Sequence, residues 1–228
     1  MSAMMPNAVA SASTRRRLGR FARRLARCSG AVSAVELGLA MPFLMGLTLT
    51  GVEVVNLALI HVRLNQLAIT VADNASRAKQ TQVNGAPQFR EYDMNQVFRA
   101  AALQAEDLDI PNRGRVIVSS LQVNGSGGQW IAWQRCWGKN TWASRYGVEG
   151  TGSSGTSFAG MGFTTTKMTA DPSTAIMFVE VAYNYKPFFL GTILPSKLIR
   201  KEAALYVRDD RDLTKIWNPS PTQPQAKC

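Results

Sequence analysis

The sequence predicts an α+β chain. A long N-terminal transmembrane helix continues into a domain with a second helix and a small antiparallel sheet. Three observations predict it. Residues 37–62 carry a single formal charge, Glu53. Two helical stripes of apolar residues follow, up to Leu108. Strand-like runs bounded by turn residues begin only after Pro111, and helices before strands is an α+β order.

The leader comes first. Seven arginines (Arg15, Arg16, Arg17, Arg20, Arg23, Arg24, Arg27) fall within thirteen residues, and no acid precedes Glu36. The chain carries a net +11, but beyond residue 30 it holds 19 basic against 15 acidic residues. The basicity therefore belongs to the leader, and a nucleic-acid partner is not expected. From Leu37 to Val52 sixteen residues are uncharged. A spanning helix needs roughly 20 mostly apolar residues, so this segment suffices if Glu53 sits near an interface. Arginines ahead of the span place the N-terminus in the cytoplasm and the bulk of the chain outside it. A cleaved secretory signal is the competing reading, but its apolar core is shorter and ends at a small-residue site.

Beyond the span, Leu64, Leu67, Ala68, Val71, Ala75 and Ala78 form one helical stripe. No Pro or Gly interrupts residues 52–84, so one helix is expected from residue 32 to about 82, with a kink at Pro42. Residues 83–89 read as a turn. Asp93 with Gln96 reads as a capping box, and Met94, Val97, Phe98, Ala101, Ala105 and Leu108 form the second stripe, ended by Pro111. Residues 115–125 and 127–138 read as a hairpin, 147–170 as a flexible Gly/Ser/Thr loop, 176–189 and 200–209 as two more strands, and 219–228 as a disordered tail.

The string GAVSAVELGLAMPFLMGLTLTGVEVVNLAL (residues 30–59) resembles the N-terminus of the TadE-like proteins, pilin-like components of tight-adherence (Tad, or Flp-type) pilus systems. Gly30 matches the residue before the prepilin-peptidase cut, Glu36 the glutamate near the mature start, and Pro42 the helix proline. The resemblance covers residues 27–65. Family members carry Glu at mature position five. A cut after Gly30 makes Glu36 sixth; a cut after Ala31, leaving Val32 first, makes it fifth. Either cut, or none, fits the residues. The resemblance implies four segments: a basic leader 1–30, a transmembrane helix 31–62, a pilin-like periplasmic domain 63–218 and a tail 219–228. It implies a structural or assembly subunit (minor pilin or pseudopilin) of the bacterial inner membrane, single-pass, which enters an extracellular pilus or stays behind. The implied partners are prepilin peptidase, other pilin-like subunits and the Tad secretion machinery. Assembly would use Glu36 together with Ala34, Gly38, Pro42 and Gly46, whose small side chains permit close helix approach. Cleavage would discard Cys28 and leave Cys136 and Cys228, an even pair in an oxidising compartment and so expected to be bridged.

Enzymatic chemistry finds little footing. His61 is the one histidine, and the cysteines are too dispersed for a zinc site. No catalytic residue, metal ligand or cofactor is assigned, and the chain is not read as an enzyme. Gly150–Gly155 satisfies G-x-G-x-x-G but lacks the following helix that dinucleotide binding needs. His61 reads as an interfacial polar residue. Trp130, Trp133, Trp137 and Trp142 interleave with Arg135, Lys139 and Arg145, so a membrane-anchored periplasmic binding module using this hairpin is the alternative function. Strand alternation would place Trp130 on the opposite face from Trp133 and Trp137.

Overall fold

The computed structural model describes residues 19, 21, 23, 24, 29–82, 85–163, 165, 167–189, 191, 195–208 and 210–228. The chain divides into two compact units, Met1–Val54 and Val55–Cys228. Helix α1 (Ser29–Arg77) supplies unit 1 with its first part and unit 2 with the remainder.

Unit 2 is mixed helix and sheet. Strands β1 (Gln80–Gln82) and β2 (Gly85–Arg90) precede α2 (Glu91–Gln104), a 3-10 turn (Glu106–Leu108) and the short α3 (Ile110–Arg113). Then follow β3 (Gly114–Val123), β4 (Gln129–Trp137), β5 (Ala175–Tyr185), β6 (Lys197–Tyr206) and β7 (Asp212–Trp217). The main sheet is antiparallel, in the order β4-β3-β5-β6. A second sheet, β1-β2-β7, pairs β2 with β7 in parallel.

Both helical stripes face one side of the main sheet. Leu64, Leu67, Ala68, Val71 and Ala75 of α1 and Met94, Val97, Phe98 and Ala101 of α2 are buried against Val116, Val118, Met177, Val179, Val181 and Tyr183. The other side is covered by residues 138–174. There Leu121, Ile131, Ile176 and Phe178 bury Met161 and Ala170, with Tyr146 and Phe158 alongside. The central strand β3 is thus covered on both faces, and its first eight residues are buried.

Several boundaries differ from the sequence expectation. Helix α1 stops at Arg77 instead of near residue 82. Its last carbonyls are taken by a distant cation: Arg211 Nη1 donates to Ala75 O at 2.9 Å and Ala78 O at 2.6 Å. A guanidinium at a helix C-terminus satisfies orphan carbonyls and complements the dipole. Of the turn expected over residues 83–89, Gly85 to Phe89 belong instead to strand β2; residues 83 and 84 lie outside the described set. Helix α2 begins at Glu91, two residues before the expected cap. Asp93 is its third residue and accepts from the Arg90 backbone N–H at 3.0 Å. Ala105 caps α2, and Pro111 begins no break but sits inside α3.

The tail and the glycine-rich loop are held by named bonds, against the expectation of disorder. Asn218 and Gln223 bond reciprocally (2.8 and 2.9 Å), and Asn95 Nδ2 donates to Pro224 O at 3.0 Å. Cys136 N donates to Ala226 O at 2.7 Å, and Cys136 and Cys228 form a disulfide with Cα atoms 4.9 Å apart. In the loop, Asn124 Nδ2 donates to Gly152 O (2.7 Å) and Gly155 O (2.8 Å), and Ile131 exchanges backbone bonds with Gly150 and Thr151. With the Glu149 carboxylate accepting from Gln134 N at 3.1 Å, these contacts cover the outer edge of β4, which would otherwise invite strand addition.

Candidate membrane and assembly helix

The described part of unit 1 is essentially one apolar helix surface. Val32, Val35, Leu37, Leu39, Met41, Phe43, Leu44, Met45, Leu47 and Val52 are all exposed, Phe43 at 80%. Water disfavours such a surface at roughly 25 cal/mol per Å², so it requires a covering medium. Residues 32–52 rise about 31 Å at 1.5 Å per residue, which matches a hydrocarbon core of about 30 Å. The helix is therefore long and apolar enough to cross a membrane. Both threonine hydroxyls are satisfied within the helix: Thr48 Oγ1 donates to Leu44 O and Thr50 Oγ1 to Gly46 O, both at 2.7 Å. That is the arrangement a polar side chain needs in lipid.

Glu36 lies two turns inside the helix, which starts at Ser29. The helix dipole acts within the first turn, so it does not account for this carboxylate. Glu36 is exposed and has no hydrogen-bond or ion-pair partner among the described residues. Gly38 and Gly46 are open; a Cβ added at either would meet nothing within 4 Å. Pro42, inside the helix, has no N–H, so the Gly38 carbonyl four residues earlier lacks its intrahelical donor. Ala34 is exposed on the same helix. Gly30 and Ala31 lie in its first turn, so cleavage at either bond requires that turn to unwind. Cys28 and, apart from Gly19, Phe21, Arg23, Arg24, Ser29 and Gly30, the basic leader lie outside the described residues. Glu53 is 5% exposed, unlike Glu36.

The tryptophan hairpin is partly packed. The register slips at Ser120/Leu121, pairing Ser120 with Trp133 and Gln122 with Trp130. This bulge cancels the alternation and puts Trp130 on the same face as Trp133 and Trp137, correcting the sequence expectation. Trp133 is buried and stacks on Phe89 at 5.5 Å; Trp137 stacks on Phe98 at 6.4 Å. Between them Arg135 is engaged by Glu91, through Nε to both carboxylate oxygens at 3.0 Å and Nη2 to Oε1 at 2.5 Å. Burial alone would lower the Arg135 pKa, but Glu91 and Glu149 outweigh it and raise the value. The hairpin fastens α2 to the sheet through Arg135 and Trp137, while Trp130, Trp137 and Trp142 remain half-exposed.

One titratable cluster escaped the sequence reading. Glu180 of β5 and Glu202 of β6 face each other across the sheet. Glu180 accepts from Arg145 N at 3.0 Å and Glu202 from Tyr146 Oη at 2.8 Å. Burial, ahead of neighbouring charges and donors, pushes both carboxyls and the tyrosine above their usual ranges. The cluster latches the covering loop to the sheet. A lone acid within the apolar run of residues 176–183 was its sequence signal. His61 is half-buried on α1. Among the described residues no group of three His, Cys, Asp or Glu could hold a metal ion.

Compared with models of protein families, with curated proteins and with solved structures, the chain finds no match.

Proposed function

We propose that this chain is a non-enzymatic structural subunit, anchored in a bacterial inner membrane by residues 32–52. It assembles through that helix with other pilin-like subunits of a tight-adherence pilus apparatus. The exposed apolar helix carrying one unpartnered carboxylate is the observation that supports this reading. In lipid, an isolated carboxylate is costly and seeks a partner. After removal of the leader by prepilin peptidase, Glu36 can pair with the new amino terminus of a neighbouring subunit, which sets register. Open Gly38 and Gly46 let a second helix approach closely, and the unpaired Gly38 carbonyl gives it an acceptor. The covalently fastened, loop-covered domain outside the membrane suits a component exposed to an oxidising compartment.

Glu36→Gln tests the reading. Cells expressing it should keep the chain in the carbonate-resistant membrane fraction while crosslinked multimers decline. Unchanged crosslinking would remove Glu36 from assembly.

A further inference from the structure

We propose that Glu180 and Glu202 share one proton, and that this proton seals residues 143–163 onto the outer face of the main sheet. The cover loosens as the pH rises and the proton leaves.

The strand register brings the two carboxyls together. Val207 N donates to Ala175 O at 2.8 Å, which makes these opposed residues a hydrogen-bonded pair. The β5–β6 register then runs unshifted to Glu180 opposite Glu202. Bonded and non-bonded pairs alternate, so Glu180 and Glu202 form a non-bonded pair. There the Cα atoms approach to about 4.5 Å and the side chains lie closest. Like charges so opposed are destabilising, and two carboxylates on one dry site retain a proton past the usual range.

Glu180 is 4% exposed, and its Oε2 has no hydrogen-bond partner among the described residues. A buried carboxylate oxygen without a donor is costly. A proton there removes the charge and turns the oxygen into a donor facing Glu202. The remaining bonds run to the cover: Arg145 N donates to Glu180 Oε1 at 3.0 Å and Tyr146 Oη to Glu202 Oε1 at 2.8 Å. Tyr146 meets Phe178 edge to face at 5.4 Å, and Met161 is fully buried in the same cluster. Water therefore reaches the carboxyls only when the cover lifts.

The cations around the pair are otherwise engaged. Arg145 stacks on Phe163 at 5.2 Å and Lys167 on Tyr146 at 5.7 Å, while Arg200 of β6 donates to Ala143 O at 3.4 Å. On β3, Ile117 opposes Glu180, and Arg115 beyond it donates to the Asn140 and Cys228 carbonyls. Burial outweighs these cations and raises both carboxyls. The Tyr146 hydroxyl is also pushed up, first by burial and then by Glu202, so it remains a donor.

Amide hydrogen exchange of the full chain in detergent, corrected for intrinsic exchange and followed from about pH 5 to pH 9, provides the test. The opening equilibrium of residues 143–163 should rise by up to about tenfold per pH unit, then level at the pair's own value. Residues 115–121 of β3 should keep their protection. Infrared difference spectra of the unsubstituted chain should show a protonated carboxyl that disappears in step with the loosening. Glu180→Gln, neutral at every pH, should flatten most of the rise. A flat profile in the unsubstituted chain, or an equal rise in Glu180→Gln, overturns the proposal. Loss of β3 protection in step with the cover overturns it too, because the opening is then global. Absence of the carboxyl band overturns it whatever the variant does.

Discussion

Glu91→Gln should destabilise unit 2 far more than a helix-terminal substitution ordinarily does. Glu91 opens α2 and is 1% exposed, while Arg135 on β4 is 3% exposed. Their three contacts, at 2.5–3.0 Å, connect α2 directly to the main sheet. The other acid on Arg135, Glu149, reaches only Nη1, at 2.9 Å, and its side chain is 48% exposed. Removing the Glu91 charge leaves a buried guanidinium with the Gln134 carbonyl, at 2.7 Å, and one solvent-screened counter-charge, Glu149. Breaking a buried pair in this way costs about 3–5 kcal/mol, a large fraction of the roughly 5–15 kcal/mol that domains possess. Replacing both members by Met, so that no charge remains, should recover much of that loss, because desolvation then no longer opposes folding. Urea unfolding of the full chain in detergent, followed by tryptophan fluorescence, reads both. Trp133 and Trp137 flank the pair on one strand and report its environment. A Glu91→Gln loss below about 1 kcal/mol, or a double variant no better than the single, would refute the argument that burial makes this pair demanding.

Glu180→Gln should show a pH dependence of definite sign. Burial holds the folded-state pKa of Glu180 above the ordinary 4.5, so protonation favours the folded state, and that stabilisation fades as pH rises through the raised value. The glutamine variant should therefore exceed the unsubstituted chain in melting temperature at pH 8 and converge with it near pH 4; the opposite order would contradict the burial account. Cys228→Ser opens a crosslink spanning 92 residues, worth up to about 4 kcal/mol in the chain-entropy model, and should lower the non-reducing melting temperature to that of reduced protein. Two alkylatable thiols in native protein taken from an oxidising compartment would contradict the bridge. Gly152→Ala places a Cβ against the Gln129 carbonyl at a φ of +78°. It should cost about 1–3 kcal/mol and increase hydrogen exchange in residues 147–155, whereas a neutral result would mean the loop is not fixed by Asn124.

The features legible in the sequence were those with a period. The stripes Leu64–Ala75 and Met94–Leu108, the β3–β4 hairpin and strands β5 and β6 follow from spacing and turn residues. The apolar span, expected over residues 31–62, follows from composition alone. What sequence could not supply was contact between distant residues. Helix α1 ends at Arg77 because Arg211 caps it from 130 or more residues away, and no local signal at residues 77–82 announces that. Strands β1, β2 and β7 are short and polar, and β2 exists through parallel pairing with β7. The bulge at Ser120/Leu121 overrode a correct period-two argument by one residue, which moves every subsequent side chain to the other face. Within the candidate helix, Glu36, Gly38, Pro42 and Gly46 were all visible. The depth of Glu36 inside the helix was not, because the helix start could not be fixed from an uncapped, small-residue stretch.

The account turns on whether residues 1–30 are removed and residues 32–52 remain in the membrane. N-terminal sequencing of the chain extracted from carbonate-washed membranes, taken from cells that contain a prepilin peptidase, reads both at once. The account predicts a mature start at Ala31 or Val32 on a protein that resists carbonate extraction. An intact Met1 start on that same protein would contradict the processed subunit, and release into the carbonate supernatant would contradict the anchor itself.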